Sequence, residues 1–202
     1  MVTIVDYGMG NLGSIQNMFK RIKVESEITG DVEKVAAASK ILLPGVGAFD
    51  AAMQRINETG LKEVLDKKAR QDKAPVLGIC LGMQLLTKSS EEGKLPGLGW
   101  IDAETKKFRF NDPSLKIPHM GWNLVYKRNE SRLIDNLPEE PRFYFVHSYY
   151  VQCVNSGDVL TTTHYGDDFH SIIQHGNIYG AQFHPEKSHK FGMKLLQNFS
   201  SL

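Results

Sequence analysis

Up to about residue 90 the chain alternates short apolar runs with stretches of helical character. The runs at 2–5, 25–29, 41–43 and 76–79 read as strands, and the stretches at 14–23, 51–57, 61–71 and 83–87 as helices. Strands alternating with helices predict a parallel sheet covered on both faces. From about Leu98 the pattern changes to successive strands at 105–110, 122–127, 142–150, 160–165, 171–174 and 178–182, which read as antiparallel additions in the C-terminal half. A last helix is predicted at 191–199. The polar, proline-bearing segments 111–114 and 129–141 read as loops. With no internal repeat or low-complexity tract, the expectation is one α/β domain over residues 1–202, built in three layers.

Composition narrows the function classes. A chain of 202 residues can bury a full core in one domain. A net charge of +1 with 23% charged residues implies no polyanion, so no nucleic-acid partner is expected. Two cysteines give no disulfide framework, which fits a reducing cytoplasm. Residues 1–7 read as a strand containing an Asp, not a secretory signal. No apolar run approaches the ~20 residues needed to span a membrane, so no membrane association is expected.

The candidate chemistry centres on Cys80, in Gly78-Ile79-Cys80-Leu81-Gly82, directly after an apolar run and directly before a helical stretch. A strand turning sharply into a helix holds its corner residue in a strained conformation, and crowding there favours glycine two positions away on either side. The side chain then stands above the sheet, facing the positive end of the helix, which favours a thiolate. A free cysteine is most often simply buried, but both glycines and the strand-then-helix pattern favour a nucleophile. Of seven histidines, only His184 has an obvious orienting partner, in Gln182-Phe183-His184-Pro185-Glu186. If this segment leaves a strand in extended form, His184 and Glu186 point the same way. Cys80, His184 and Glu186 then form a triad in which Cys80 attacks a carbonyl, His184 takes and returns its proton, and Glu186 sets the tautomer. The third piece is the loop Leu43-Pro44-Gly45-Val46-Gly47, whose bare backbone N–H groups can form an oxyanion hole outside the carboxyl end of a strand.

These segments, in this order, resemble the class I glutamine amidotransferase family, the triad type with a GxCxG elbow and a late HPE. The runs Asp6-Tyr7-Gly8-Met9-Gly10-Asn11-Leu12, Pro118-His119-Met120-Gly121-Trp122-Asn123 and Tyr144-Phe145-Val146-His147-Ser148-Tyr149 are similar to the glutaminase subunits of imidazole glycerol phosphate synthases within it. The resemblance implies a flavodoxin-like, mostly parallel sheet with helices on both faces. It implies hydrolysis of L-glutamine through a thioester on Cys80, with no cofactor and no metal. It places the oxyanion hole at Gly45, Val46, Gly47 and Leu81, and glutamine against Gly47, Gln84, Glu92, Ser148 and Tyr149. Gln84 lies one helical turn from Cys80 and can reach the amino-acid head group. Glu92 matches the position that pairs with the substrate ammonium, and Ser148 and Tyr149 match a strand end holding the carboxylate. The resemblance further implies a heterodimer in which a (β/α)8 synthase or cyclase subunit receives ammonia and contacts Asn11, His119, Met120, Trp122, Tyr144 and Lys187.

Other readings compete. Gly8-Met9-Gly10-Asn11-Leu12-Gly13 satisfies GxGxxG between a strand and a helix, with Glu25 and Glu27 beyond, and could mark a dinucleotide site. His184, Glu186 and His189 form an HxExxH pattern without helical metal-ligand spacing. A catalytically silent scaffold and a cysteine peptidase are the remaining alternatives. The runs Lys187-Ser188-His189-Lys190 and Gly99-Trp100-Ile101 resemble a paralogous branch associated with sugar amination for surface polysaccharides, which would change only the ammonia acceptor.

Overall fold

The computed structural model describes all residues from Met1 to Leu202. Its first half runs β1 (Val2–Val5), α1 (Leu12–Arg21), β2 (Ser26–Thr29), α2 (Val32–Ala37), β3 (Ile41–Leu43), α3 (Phe49–Glu58), α4 (Leu61–Asp66), β4 (Val76–Ile79) and α5 (Leu81–Leu85). The second half adds β5 (Ser89–Ser90), β6 (Ala103–Lys107), β7 (His119–Leu124), β8 (Tyr126–Lys127), β9 (Arg142–His147), β10 (Tyr149–Cys153), β11 (Val159–Tyr165), β12 (Asp167–His175), β13 (Ile178–Ala181) and α6 (His189–Ser200).

Strands β2-β1-β3-β4-β13 lie side by side and all parallel. This is the flavodoxin order, in which ligands collect beyond the carboxyl ends of the strands. Antiparallel β12, β10 and β6 extend the sheet, β5 edges it, and β11 with β8 branches from β12. Strands β7 and β9 form a separate antiparallel ribbon.

The parallel strands are apolar in sequence because both faces are covered. Ile41 and Leu43 point into a core shared with Phe49, Met53, Leu61 and Leu65 of α3 and α4. Leu42 points the other way, into a core with Phe19 of α1, Phe143 and Phe145 of β9, and Leu195, Leu196 and Phe199 of α6. Helix α1 buries Ile15, Met18 and Phe19, one stripe at helical spacing. No helix is long and apolar enough to cross a membrane.

Three expectations are corrected in detail. Helix α2 has no predicted counterpart: it is six residues long, buries only Val35, and starts where Asp31 accepts hydrogen bonds from the Glu33 and Lys34 N–H groups at 2.9 and 3.0 Å. The strand expected at 142–150 breaks at Ser148 into β9, which pairs with β7, and β10, which pairs with β6 and β12. The chain therefore passes between two sheets there. The loop expected at 129–141 contains a 3-10 turn, Arg132–Ile134, whose Leu133 and Ile134 are buried. Asn198 of α6 secures that turn by donating to the carbonyls of Leu133 and Asp135.

Phe183 and Phe143 are fully buried and stacked with ring centroids 3.8 Å apart. Phe183→Ala is expected to cost about 3–5 kcal/mol of folding stability, read by urea denaturation with an unchanged m-value.

Candidate active site

The carboxyl ends of β1, β3, β4 and β13 bring four segments together. Between β4 and α5, Cys80 has φ 54° and ψ −109°, a left-handed backbone that side-chain-bearing residues rarely adopt. The corner is held because Cys80 N–H donates to Ala181 O at 2.8 Å and its carbonyl accepts from Met83 N–H at 3.1 Å. The flanking glycines are steric necessities. A Cβ on Gly78 would lie 2.5 Å from the Gly82 carbonyl oxygen, and one on Gly82 would strike the carbonyl oxygen of Leu43.

After β13, His184 N–H donates to Tyr144 O at 2.9 Å. The chain does not continue extended as expected but closes a 3-10 turn, Pro185–Lys187. Buried Ser188 locks the turn: its hydroxyl donates to His184 O at 2.6 Å and accepts from Tyr144 N–H at 3.0 Å. The turn, rather than strand periodicity, sets Glu186 Oε1 2.9 Å from His184 Nδ1. His184 Nε2 has no well-formed hydrogen bond and shares a cavity with Cys80. Burial opposes the imidazolium, but the Cys80 side chain and the Glu186 carboxylate outweigh it and raise the His184 pKa to about 10.

The cavity holds about 340 Å³ and is lined by Val46, Gly47, Cys80, Leu81, Gln84, Glu92, Ser148, Tyr149 and His184, with Pro118, Val146 and His147. Gly45 is pressed between Tyr7 and the start of α5, where a Cβ would meet the Tyr7 hydroxyl at 2.6 Å and Leu81 Cβ at 2.9 Å. Tyr7 holds this loop by donating to Pro44 O at 2.6 Å. Gly47 has φ +112°, and a Cβ there would meet Met9 Cε at 2.7 Å. Half-buried Glu92 accepts from Phe49 N–H at 3.0 Å. Its burial, and secondarily Asp50, raise its pKa against that hydrogen bond.

Gln84 is buried beside the cavity. Its amide nitrogen donates to Tyr149 O at 3.1 Å and to Gln182 Oε1 at 3.2 Å. Both hydrogens are spent, so Gln84 offers a ligand only its carbonyl oxygen. Tyr149 O also accepts from His147 Nδ1 at 2.7 Å, and Ser148 O accepts from Phe108 N–H at 3.1 Å. The carbonyls of residues 148 and 149 are therefore both engaged within the protein.

Of the residues expected at a partner surface, Asn11 and Lys187 are exposed, Met120 and Trp122 are 61% and 47% exposed, and Tyr144 is half-buried. His119 is corrected: it is buried, stacked on Phe145 and Tyr165 with centroids at 4.9 and 4.1 Å. As the first residue of β7, it points opposite to Met120. His189 does not join His184 and Glu186 in a metal cluster; its ring stacks on Trp122 at 5.4 Å. The glycine motif lacks the packing of a dinucleotide fingerprint, because its last glycine, Gly13, has nothing within 4 Å of a Cβ where helix and strand should touch. Sequence reasoning missed Pro118, Val146, His147 and Gln182. Their only signal was membership of the same short runs as the expected residues.

The family description "Glutamine amidotransferase class-I" matches residues 3–201. The chain is 56% identical over 199 residues to "Imidazole glycerol phosphate synthase subunit HisH 2" of Methanococcus maripaludis, covering 98% of each. It is 48% identical to the "Imidazole glycerol phosphate synthase subunit HisH" of Bdellovibrio bacteriovorus, covering all of both chains. Among solved structures, one described as "Crystal structure of glutamine amidotransferase" superposes with a TM-score of 0.74 at 17% identity, covering 100% of this chain and 99% of that one.

The raised His184 pKa depends on two partners, the Cys80 side chain and the Glu186 carboxylate. By imidazole NMR, His184 is expected to titrate well above the ordinary histidine range near 6.5 in the unaltered protein. It should move down in both Cys80→Ala and Glu186→Gln, because each removes a partner that favours the charged ring.

Proposed function

The chain belongs to the class I glutamine amidotransferases, and on that footing we propose that it is the glutaminase subunit of an imidazole glycerol phosphate synthase, acting in histidine biosynthesis. The observation that carries the chemistry is the strained corner that presents Cys80 to the cavity His184 also lines, with Glu186 behind the ring. Relatives carrying the synthase-subunit name match over essentially the whole chain and support the choice of acceptor.

In this reading glutamine enters the cavity with its ammonium toward Glu92 and Gln84 Oε1, and its carboxylate toward the donors of Ser148 and Tyr149. The Cys80 sulfur attacks the side-chain amide carbon. The developing oxyanion meets the backbone N–H groups of the Gly45-Val46-Gly47 loop and Leu81, and the N–H groups of Val46 and Gly47 have no protein acceptor. His184 takes the proton from Cys80, in keeping with its raised pKa, and holds it on the ring for the leaving amide nitrogen. The carbon–nitrogen bond breaks, ammonia departs, and a thioester remains on Cys80. Neutral His184 then draws a proton from water, which attacks the thioester and releases glutamate, returning the sulfur and ring to their starting states. Glu186 keeps the ring oriented throughout.

Ammonia must reach an acceptor before it meets bulk water. The exposed cluster of Met120 and Trp122, with Lys187 Nζ 5.8 Å from the centre of the Tyr144 ring, supports docking of a cyclase subunit there, which we take to be a (β/α)8 barrel. Pro118 links this patch to the cavity, since it lines the cavity two residues before Met120. Asn11 lies outside the same strand ends. A free cysteine nucleophile suits the reducing cytoplasm.

The pair reconstituted with its cyclase subunit should make imidazole glycerol phosphate from glutamine. Cys80→Ala should lose glutamine-driven synthesis by at least about a thousandfold while added ammonium still supports it. Glutamate release without that product would point to another acceptor. Trp122→Ala is expected to weaken subunit association at least tenfold, about 1.4 kcal/mol, measured by titration calorimetry.

A further inference from the structure

Beneath Cys80 lies a polar side chain that the proposed reaction does not use. Gln182 is fully buried, and its Nε2 sits 3.8 Å from Cys80 Sγ, within hydrogen-bond reach of sulfur. Its orientation is determined by a chain of hydrogen bonds that starts at a group unable to flip. The Tyr149 carbonyl can only accept, so Gln84 must turn its NH2 toward it and His147 must carry its hydrogen on Nδ1. Gln84 spends its second hydrogen on Gln182, which must therefore present Oε1. The NH2 of Gln182 is left facing the sulfur.

The histidine arm points the same way. Burial lowers His147 to about 3 and His119 to about 4, so both rings are neutral. With Nδ1 of His147 donating, its Nε2 accepts from His119 Nδ1 at 3.0 Å, and His119 Nε2 accepts from Asn123 Nδ2 at 3.3 Å. Asn123 in turn is tied to His164 O at 2.9 Å. The run from Asn123 to Gln182 thus has one consistent assignment of donors and acceptors.

We propose that Gln182 is the donor that holds the anionic sulfur of Cys80, its amide pre-oriented by Gln84 and the Tyr149 carbonyl. In this same position Sγ lies 4.0 Å from Val146 O, to which a neutral thiol can donate and a thiolate cannot, so the two forms of the sulfur have different partners. An N–H aimed at sulfur in a buried site favours the charged form and needs no reorganisation when the sulfur attacks. The other titratable groups around the sulfur are His184 with Glu186 behind it, Tyr7 at the end of β1, Glu92 across the cavity and His147 at the end of β9. Substituting Gln182 removes none of them. The inference builds on Cys80 as the nucleophile, but its test reads the sulfur directly and so can fail or succeed apart from glutamine hydrolysis.

The experiment is the pH profile of Cys80 alkylation by iodoacetamide, followed by peptide mass spectrometry in the full chain. Cys153 is a built-in control, because burial and the nearby Asp158 and Asp102 push its thiol up to about 12, so with the fold intact it stays protonated and unreactive across the profile. Gln182→Leu should move the Cys80 midpoint up by about one pH unit. Gln182→Glu, which puts a carboxylate oxygen where the NH2 was, should move it further. An unchanged midpoint in either variant with Cys153 still unreactive overturns the proposal. Should both variants expose Cys153, the unaltered protein decides. There the Gln182 side-chain amide resonance should shift with pH through the Cys80 midpoint and stay flat in Cys80→Ala, and a resonance indifferent to Cys80 overturns the proposal equally.

Discussion

The structure depends on how closely backbone must approach backbone around Cys80. A residue with φ 54° and ψ −109° carries strain of about 1–3 kcal/mol, and it persists because its surroundings leave no room for another path. Gly78 abuts the Gly82 carbonyl, Gly82 abuts the Leu43 carbonyl, and Gly45 abuts Leu81. These contacts join β3, β4 and α5 into one unit, so the loop after β3 cannot drift from the sulfur. The corner at Cys80 and the glycine loop after β3 are therefore two aspects of a single packing constraint.

Charge is concentrated where that unit meets the end of β13. His184 and Glu186 are almost wholly buried, and each would be costly there alone. Together, and beside the sulfur, they reverse the usual effect of burial on an imidazole. His119 and His147 show the opposite outcome a short distance away, where no carboxylate faces the ring and burial prevails, at His147 over the hydrogen bond to the Tyr149 carbonyl. Four buried groups, three of them histidines, thus take different roles because of their neighbours rather than their identity.

The second half of the chain completes the cavity by changing sheets. The ribbon of β7 and β9 covers one face through Phe143 and Phe145, and at Ser148 the chain crosses to β10 of the main sheet. That crossing puts His147, Ser148 and Tyr149 at the cavity wall while β7 turns Met120 and Trp122 outward. The cavity beside Cys80 and the exposed Met120 and Trp122 surface are consequently built on the same ribbon.

The sequence by itself determined the features set by local sterics and periodicity. The parallel strands were legible because strands covered on both faces must be apolar, the elbow because only glycine tolerates the crowding beside Cys80, and the His184–Glu186 pair because a histidine and a carboxylate stand two residues apart, although a turn and not the extended form expected brings them together. Tertiary structure decided what depends on which distant segments meet. His119 and Met120 are adjacent in sequence, yet one is buried under aromatic rings and the other faces solvent, and only the packing of β7 on β9 distinguishes them. The break at Ser148 follows from competition between two sheets for one apolar run. Gln182 reads as an ordinary strand-end residue until Gln84, 98 positions away in the chain, and the Tyr149 carbonyl orient its amide toward the sulfur. Donor and acceptor roles are properties of pairs, and the pairs exist only once the chain has folded.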